Sequence, residues 1–210
     1  MKTLLKKLLT NKSFDSGKYW EERYASGGNS GDGSYGRLSL FKAEFINDFL
    51  QRNNVQTAIE FGCGDGHQLS LIKYPKYLGF DVSATTVQNC AKKFGNDDTK
   101  SFILYTPNAF HNNFVQCDLS LSLDVLYHIV ERSAFEKYLI DLFGVSSKFV
   151  IIYSTNFDKS DTEHVLHRKF TDFVQSNLVD FELMEVVKNP YPGTGDQESN
   201  ADFYIYKRKN

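Results

Sequence analysis

Cysteine is scarce in this sequence, and the three residues present, Cys63, Cys90 and Cys117, form no C-x-x-C pair. An odd, scattered set of that kind excludes a disulfide framework and a cysteine zinc site, and it points to a reducing compartment. An excess of positive charge is also missing. The net charge is −2 at pH 7, so no global field would hold nucleic acid. No apolar run approaches the roughly 20 residues that cross a bilayer. Leu4, Leu5, Leu8 and Leu9 lie beside Lys2, Lys6 and Lys7, and the lysines break any signal-peptide core. The segment reads as a short amphipathic helix that packs on the domain or on another subunit, which would make a homodimer. It is too short for stable membrane insertion. The chain has no internal repeat, and the expected location is the cytoplasm.

What is present is ample material for one core. The 210 residues are 41% hydrophobic and 15% aromatic, the composition of a folded domain. Residues 1–36 read as N-terminal helices and a glycine-rich lid, and residues 37–210 as a single domain. In the first part, Lys18–Tyr24 forms a helix with the single tryptophan, Trp20, and Ser26–Gly36 is the lid loop. The apolar residues Leu38, Phe41, Phe45, Phe49 and Leu50 then recur at helical spacing.

From residue 57 onward, strands and helices alternate. Ala58, Ile59 and Phe61 make a short buried strand, and His67–Ile72 starts a helix. Tyr77–Asp81 is a second strand, and Ser83 caps a helix running to about Phe94. Further strands are expected at Ser101–Tyr105, Phe114–Leu123 and Lys148–Ser154, with helices at Glu131–Phe143 and around Phe170, Phe173 and Val174. Phe181–Val187 and Ala201–Tyr206 alternate as a terminal antiparallel pair. The pattern predicts an α/β fold, a mixed seven-stranded sheet between helices.

The chemistry starts where the first strand meets Gly62, Gly64 and Gly66. Glycine at alternate positions allows a tight turn and brings backbone close to a ligand. The dinucleotide fingerprint needs glycine at 67, where this chain has His67. Glu60–Gly66 therefore reads E-x-G-x-G-x-G, suited to a cofactor without a pyrophosphate. A nicotinamide-dependent oxidoreductase is the enzyme alternative. Asp81 ends the second strand near the offset at which a carboxylate meets ribose hydroxyls.

The glycine loop and the acidic second-strand end together resemble class I S-adenosylmethionine-dependent methyltransferases. A third segment, Asp118–His128, is similar to the fourth-strand pattern D-x-x-x-x-x-D/E-x-L-x-H of the small-molecule members. The glycine lid and Tyr191-Pro192 resemble, more narrowly, a bacterial group that modifies surface saccharides and other small molecules. The resemblance implies a Rossmann-like seven-stranded sheet with helices on both faces and a helical N-terminal lid. It implies S-adenosylmethionine as cofactor and S-adenosylhomocysteine as product.

Under that resemblance Trp20, Glu60, Gly62, Cys63, Gly64, Asp65, Gly66, Asp81, Val82, Asp124 and Val125 are the cofactor-binding candidates. Asn108–Phe110 fall where the family places its adenine pocket. His128 is the candidate general base, and Tyr127 orients the acceptor or belongs to the core. Tyr35, Arg37, Ser154, Asn156, His164 and Tyr191 are the acceptor-binding candidates. Asp118 reads as structural, and His164, His167 and Arg168 as a solvated or anion-facing cluster without a metal. The expected activity is O-methylation of a small-molecule or saccharide-type acceptor, such as a surface-polysaccharide building block. A non-catalytic cofactor-binding scaffold is the alternative from another class. An RNA methyltransferase has less support, since no N-P-P-Y type tetrapeptide or basic extension occurs.

Overall fold

The computed structural model describes residues 14–209. The amphipathic segment at residues 2–9, and with it the subunit contact expected of it, lies outside the described residues. The first helix, α1 (Ser16–Ala25), is capped by the Asp15 carboxylate, which accepts from the Lys18 amide at 2.9 Å. After the glycine-rich loop comes α2 (Gly36–Arg52), which buries Leu38, Ile46, Phe49 and Leu50 along one face.

The strands follow in chain order: β1 (Thr57–Phe61), β2 (Lys76–Asp81), β3 (Lys100–Leu104), β4 (Cys117–Leu123) and β5 (Ser146–Ser154). Then come a small hairpin of β6 (Lys159–Thr162) and β7 (Val165–His167), and finally β8 (Phe181–Val187) and β9 (Asp202–Arg208). Between them lie α3 (Ala84–Lys93), α4 (Arg132–Gly144) and α5 (Phe170–Asn177).

The main sheet has seven strands in the order β3-β2-β1-β4-β5-β9-β8. The first five pair in parallel, and β9 runs antiparallel to both β5 and β8. The order reverses between β1 and β4, the place where open α/β sheets leave a crevice beyond their carboxyl ends.

Alternation along each central strand feeds two cores, one per face. In β1, Ala58 joins the cluster under α2, while Ile59 and Phe61 join the cluster under α4 and α5. Burying a side chain such as Ile59 or Phe61 is worth about 1.5–3 kcal/mol, so a one-residue slip of register would exchange the faces and is strongly disfavoured. Glu60 points to the α2 face, where an apolar residue would be ordinary.

Three differences from the sequence expectations have physical reasons. His67–Ile72 does not start an α-helix: Gln68–Leu71 is a single 3-10 turn, and β2 begins at Lys76. The long α2 covers that face instead, packing Ile46 in one cluster with Leu69 and Ile72. Second, β4 starts at Cys117, because Asn112–Phe114 forms a 3-10 turn with Phe114 at the surface. Third, the β6–β7 hairpin was not expected; β6 is polar throughout and β7 has only three residues, too few to show an alternation. No helix among the described residues is long and apolar enough to cross a membrane.

Candidate active site

A cavity of about 630 Å³ opens at the carboxyl ends of β1, β2 and β4. Its floor is the glycine loop. Gly62 has φ +83° and Gly64 φ +55°, a left-handed backbone that side chains with a Cβ adopt at a cost. Neighbouring protein also excludes a Cβ there. One on Gly62 would lie 2.4 Å from a Val125 methyl, and one on Gly64 would lie 2.3 Å from Ser30 Oγ and 3.2 Å from the Tyr24 hydroxyl. The loop is thus built of glycine partly so that the N-terminal segment can lie on it. Gly66 does not line the cavity and packs against Phe94 and Cys90.

Asp81 sits across the loop, 5% exposed, and accepts from the Gly64 and Ser83 amides at 2.9 Å each. Burial pushes its carboxyl up to about 6, against the lowering effect of those amides. Glu60 is fully buried and accepts from the Tyr77 hydroxyl at 2.6 Å; desolvation raises it to about 7. The Cys63 thiol is raised well above its ordinary value by the Cys90 contact and by burial, so it is no nucleophile.

The third wall is the end of β4. Asp124 has φ +60°, an uncommon state for a residue with a Cβ and one that clusters at functional sites. Its Oδ1 accepts from the Tyr127 hydroxyl at 2.7 Å, and its Oδ2 accepts from Lys42 Nζ. Lys42 is 1% exposed. Sequence reasoning missed it, yet a signal existed: Lys42 interrupts the buried stripe of α2 between Leu38 and Ile46, each four residues away.

The N-terminal segment forms the roof. Glu21 reaches Ser83 Oγ and Thr85 Oγ1 at 2.6 Å each, which hold its carboxyl below the usual range. At the other rim, Glu131 accepts from the Ser16 amide at 2.7 Å and its hydroxyl at 2.6 Å. Helix α1 thereby bridges the starts of α3 and α4. The loop after it is pinned by Asp65, which accepts from the Ser30 amide at 2.9 Å and the Tyr35 hydroxyl at 2.6 Å.

Of the cofactor candidates, Trp20, Glu60, Gly62, Cys63, Gly64, Asp65, Asp81, Val82, Asp124 and Val125 all line the cavity. His128 lines it too, with the Trp20 ring edge-on at 4.9 Å. Its Nδ1 lies 3.4 Å from the His164 carbonyl, and burial lowers the imidazole to about 4. Tyr127 does not line the cavity, since its hydroxyl is committed to Asp124. Asn108 lines it with Thr106 and Pro107, whereas Ala109 and Phe110 do not.

The six acceptor candidates lie outside this cavity. Arg37 stacks on Tyr191 at 4.3 Å and donates to the Gln197 carbonyl. Ser154 is buried within the sheet, and Asn156 is tied to Thr171. Tyr35 stacks on His67, and His164 stacks on Tyr19 at 4.8 Å beside His128. His167 pairs with Thr155 and Asp161. Asp118 lies at the opposite end of β4, accepting from the Gln56 amide and pairing with Lys148, a structural position.

No protein-family model and no curated protein matches the sequence. Solved structures do match it. The N-methyltransferase NodS from Bradyrhizobium japonicum, in complex with S-adenosylhomocysteine, aligns at a TM-score of 0.70 and 11% identity over 94% of this chain and 100% of its own. Magnesium protoporphyrin IX methyltransferase from Synechocystis, with bound S-adenosylmethionine, gives 0.68 and 14% over 95% and 100%. The methyltransferase domain of bacterial CtHen1-C gives 0.65 and 16% over 83% and 100%. The fold is that of the class I methyltransferases. Within this methyltransferase fold, the cavity opens at the carboxyl ends of the parallel strands, where the order reverses.

Proposed function

We propose that the protein is an S-adenosylmethionine-dependent methyltransferase acting on an oxygen of a small-molecule or saccharide-type acceptor. The observation that carries the reading is the buried Asp81 carboxylate facing the cavity across Gly62–Gly64, in a fold shared with proteins solved with S-adenosylmethionine or S-adenosylhomocysteine. A dinucleotide is disfavoured, because its pyrophosphate needs a helix N-terminus after β1. Here that place holds one 3-10 turn and His67. The free cysteines, all buried, agree with a reducing compartment such as the cytoplasm.

The residues fit the group. Asp81 would accept the ribose hydroxyls, Val82, Val125 and Asn108 would flank the adenine, and Asp124 would face the amino acid end. When bound, the cofactor supplies the methyl group and its own leaving group, so the protein has mainly to align the acceptor and receive a proton. His128 is placed for that. A hydrogen bond from Nδ1 to the His164 carbonyl leaves Nε2 with its lone pair, and an imidazole lowered to about 4 is neutral at physiological pH. Tyr127 keeps its proton, being raised well above its ordinary value by burial and by Asp124, and so positions Asp124. The segment 14–36 acts as the lid, and its Trp20 ring lines the cavity edge-on to His128.

The test is incubation with methyl-labelled S-adenosylmethionine and a metabolite extract, read by mass spectrometry. Label in a small molecule with a methylated hydroxyl is expected, and label in RNA or protein alone would overturn the acceptor class. With the acceptor in hand, His128→Ala should lower turnover about 10²–10⁴-fold without changing cofactor affinity, and the deficit should shrink as pH rises. Full activity across neutral and alkaline pH would remove His128 from the chemistry.

A further inference from the structure

The backbone just after His128 has no ladder of its own. His128 ends the 3-10 turn Leu126–His128, and α4 begins only at Arg132, with no side-chain cap. Between them the Ile129 and Val130 carbonyls need partners, because an unpaired backbone group away from water is costly. Both find the same one. Arg168 donates from Nη1 to the Ile129 carbonyl at 2.6 Å and from Nη2 to the Val130 carbonyl. From the other side, the Val130 amide donates to Ser16 Oγ at 3.2 Å. Arg168 is half-buried, lies over the Phe135 ring at 4.7 Å, and has its charge disfavoured by burial. Glu131, Asp158 and Glu136 act on it through space, yet the guanidinium is spent on carbonyls. That placement costs stability and asks for a reason other than charge pairing.

The neighbours of Arg168 supply one. His164, in the turn of the β6–β7 hairpin, sets its carbonyl 3.4 Å from His128 Nδ1, and the His167 ring lies 5.5 Å from that of Tyr127. The hairpin and the bend after it thus touch Tyr127, His128, Ile129 and Val130. His167 is itself held by Thr155 at 2.7 Å and Asp161 at 3.0 Å, which ties the hairpin to the end of β5. We propose that Arg168 is a positioning residue for His128: its fork fixes the Ile129–Val130 backbone and so holds the imidazole with Nδ1 against the His164 carbonyl. This rests on the reading of His128 as the group that receives the acceptor proton, and it adds the residue that sets the tautomer. Lysine is no equivalent, since an ammonium lacks the planar fork that aims two N–H groups at two successive carbonyls.

The experiment is nitrogen-15 NMR of the full chain labelled at histidine, at pH 7.5, with His128→Gln used to assign the His128 signals. Wild type should show a single neutral tautomer protonated on Nδ1. Arg168→Met, which keeps an unbranched apolar stem over Phe135, should lose that single state and show averaged shifts with Nε2 protonated in part. Arg168→Lys keeps the charge and should lose it partly; if Arg168→Met melts too low for spectra, Arg168→Lys decides alone. Arg208→Met is the matched control, because Arg208 also lies over a ring, Phe181, at 4.7 Å and donates to a carbonyl, that of Ser146, at 3.2 Å. It sits at the end of β5 away from the cavity, so it should lower the melting temperature and leave the His128 signals as in wild type. Calorimetry should show unchanged affinity for S-adenosylhomocysteine in both Arg168 variants. Unaltered His128 signals in those variants overturn the assignment. So does the same change in Arg208→Met, which would make the signals a report of stability alone. Loss of S-adenosylhomocysteine affinity in step with the tautomer also overturns it, since Arg168 would then support the whole site. Wild type that does not bind S-adenosylhomocysteine refutes the cofactor reading, and the NMR comparison still decides Arg168.

Discussion

Asp81→Ala is the substitution with the most to lose. The carboxylate is proposed to accept two ribose hydroxyls, and hydrogen bonds to a charged group contribute about 1.5–3 kcal/mol each. Two of them amount to about 3–6 kcal/mol, or roughly a 10²–10⁴-fold rise in Kd. Removing the carboxylate also frees the Gly64 and Ser83 amides, each now bonded at 2.9 Å, so the loop loosens as well. A thermal melt separates that effect, since loop loosening lowers Tm in the absence of ligand. The pH dependence gives a second readout. Asp81 is raised by burial to about 6, and hydroxyl donors need the ionised form. Affinity in wild type should thus hold steady above pH 6 and fall roughly tenfold per unit below it, whereas the alanine variant should show no such slope. Calorimetric titration with S-adenosylhomocysteine from pH 7.5 to 5 is the assay. An unchanged Kd in the variant, or a flat wild-type profile, would refute the reasoning.

Gly64→Ala should cost about 1–2 kcal/mol in backbone strain and push the roof away, since the new Cβ would meet Ser30 and Tyr24. A lower Tm with faster amide exchange over residues 26–36 is expected, and wild-type exchange there would contradict the packing. In wild type, the same amides should gain protection when S-adenosylhomocysteine binds, and equal exchange with and without it would make the segment a plain linker. His128 titrates near 4 in the folded chain and near 6.5 when unfolded. Between those values the unfolded chain holds a proton that the native one does not, so stability falls as pH drops from 6.5 to 4. The full window is worth about 3 kcal/mol. Urea unfolding at several pH values should show that slope in wild type and a flatter one in His128→Gln, and parallel curves would contradict it.

Much of the fold was legible because its signals are local. The stripe of Leu38 through Leu50, the Ser83 cap, the run at 148–154 and the terminal antiparallel pair each matched an element of the structure. The helix expected after Gly66 failed because Leu69 and Ile72 are apolar for a tertiary reason: they pack under α2 and not along a helix of their own. The loop and Asp81 at the end of β2 were readable from spacing, whereas Asp124 at the end of β4 followed from the family resemblance. Glu21 and Glu131 were not legible, because each gains its meaning from a partner 62 or 115 residues away. Ser154 and Asn156 were placed from the end of β5 and Tyr191 from a turn, yet Tyr191 is covered by Arg37, Asn156 is tied to Thr171, and Ser154 is buried within the sheet.

The most direct measurement of the central claim is a calorimetric titration of the purified protein with S-adenosylhomocysteine, with NAD as the comparison ligand. The account predicts saturable binding of S-adenosylhomocysteine at one site per chain and no heat from NAD. No binding of S-adenosylhomocysteine, or preferential binding of NAD, would contradict it.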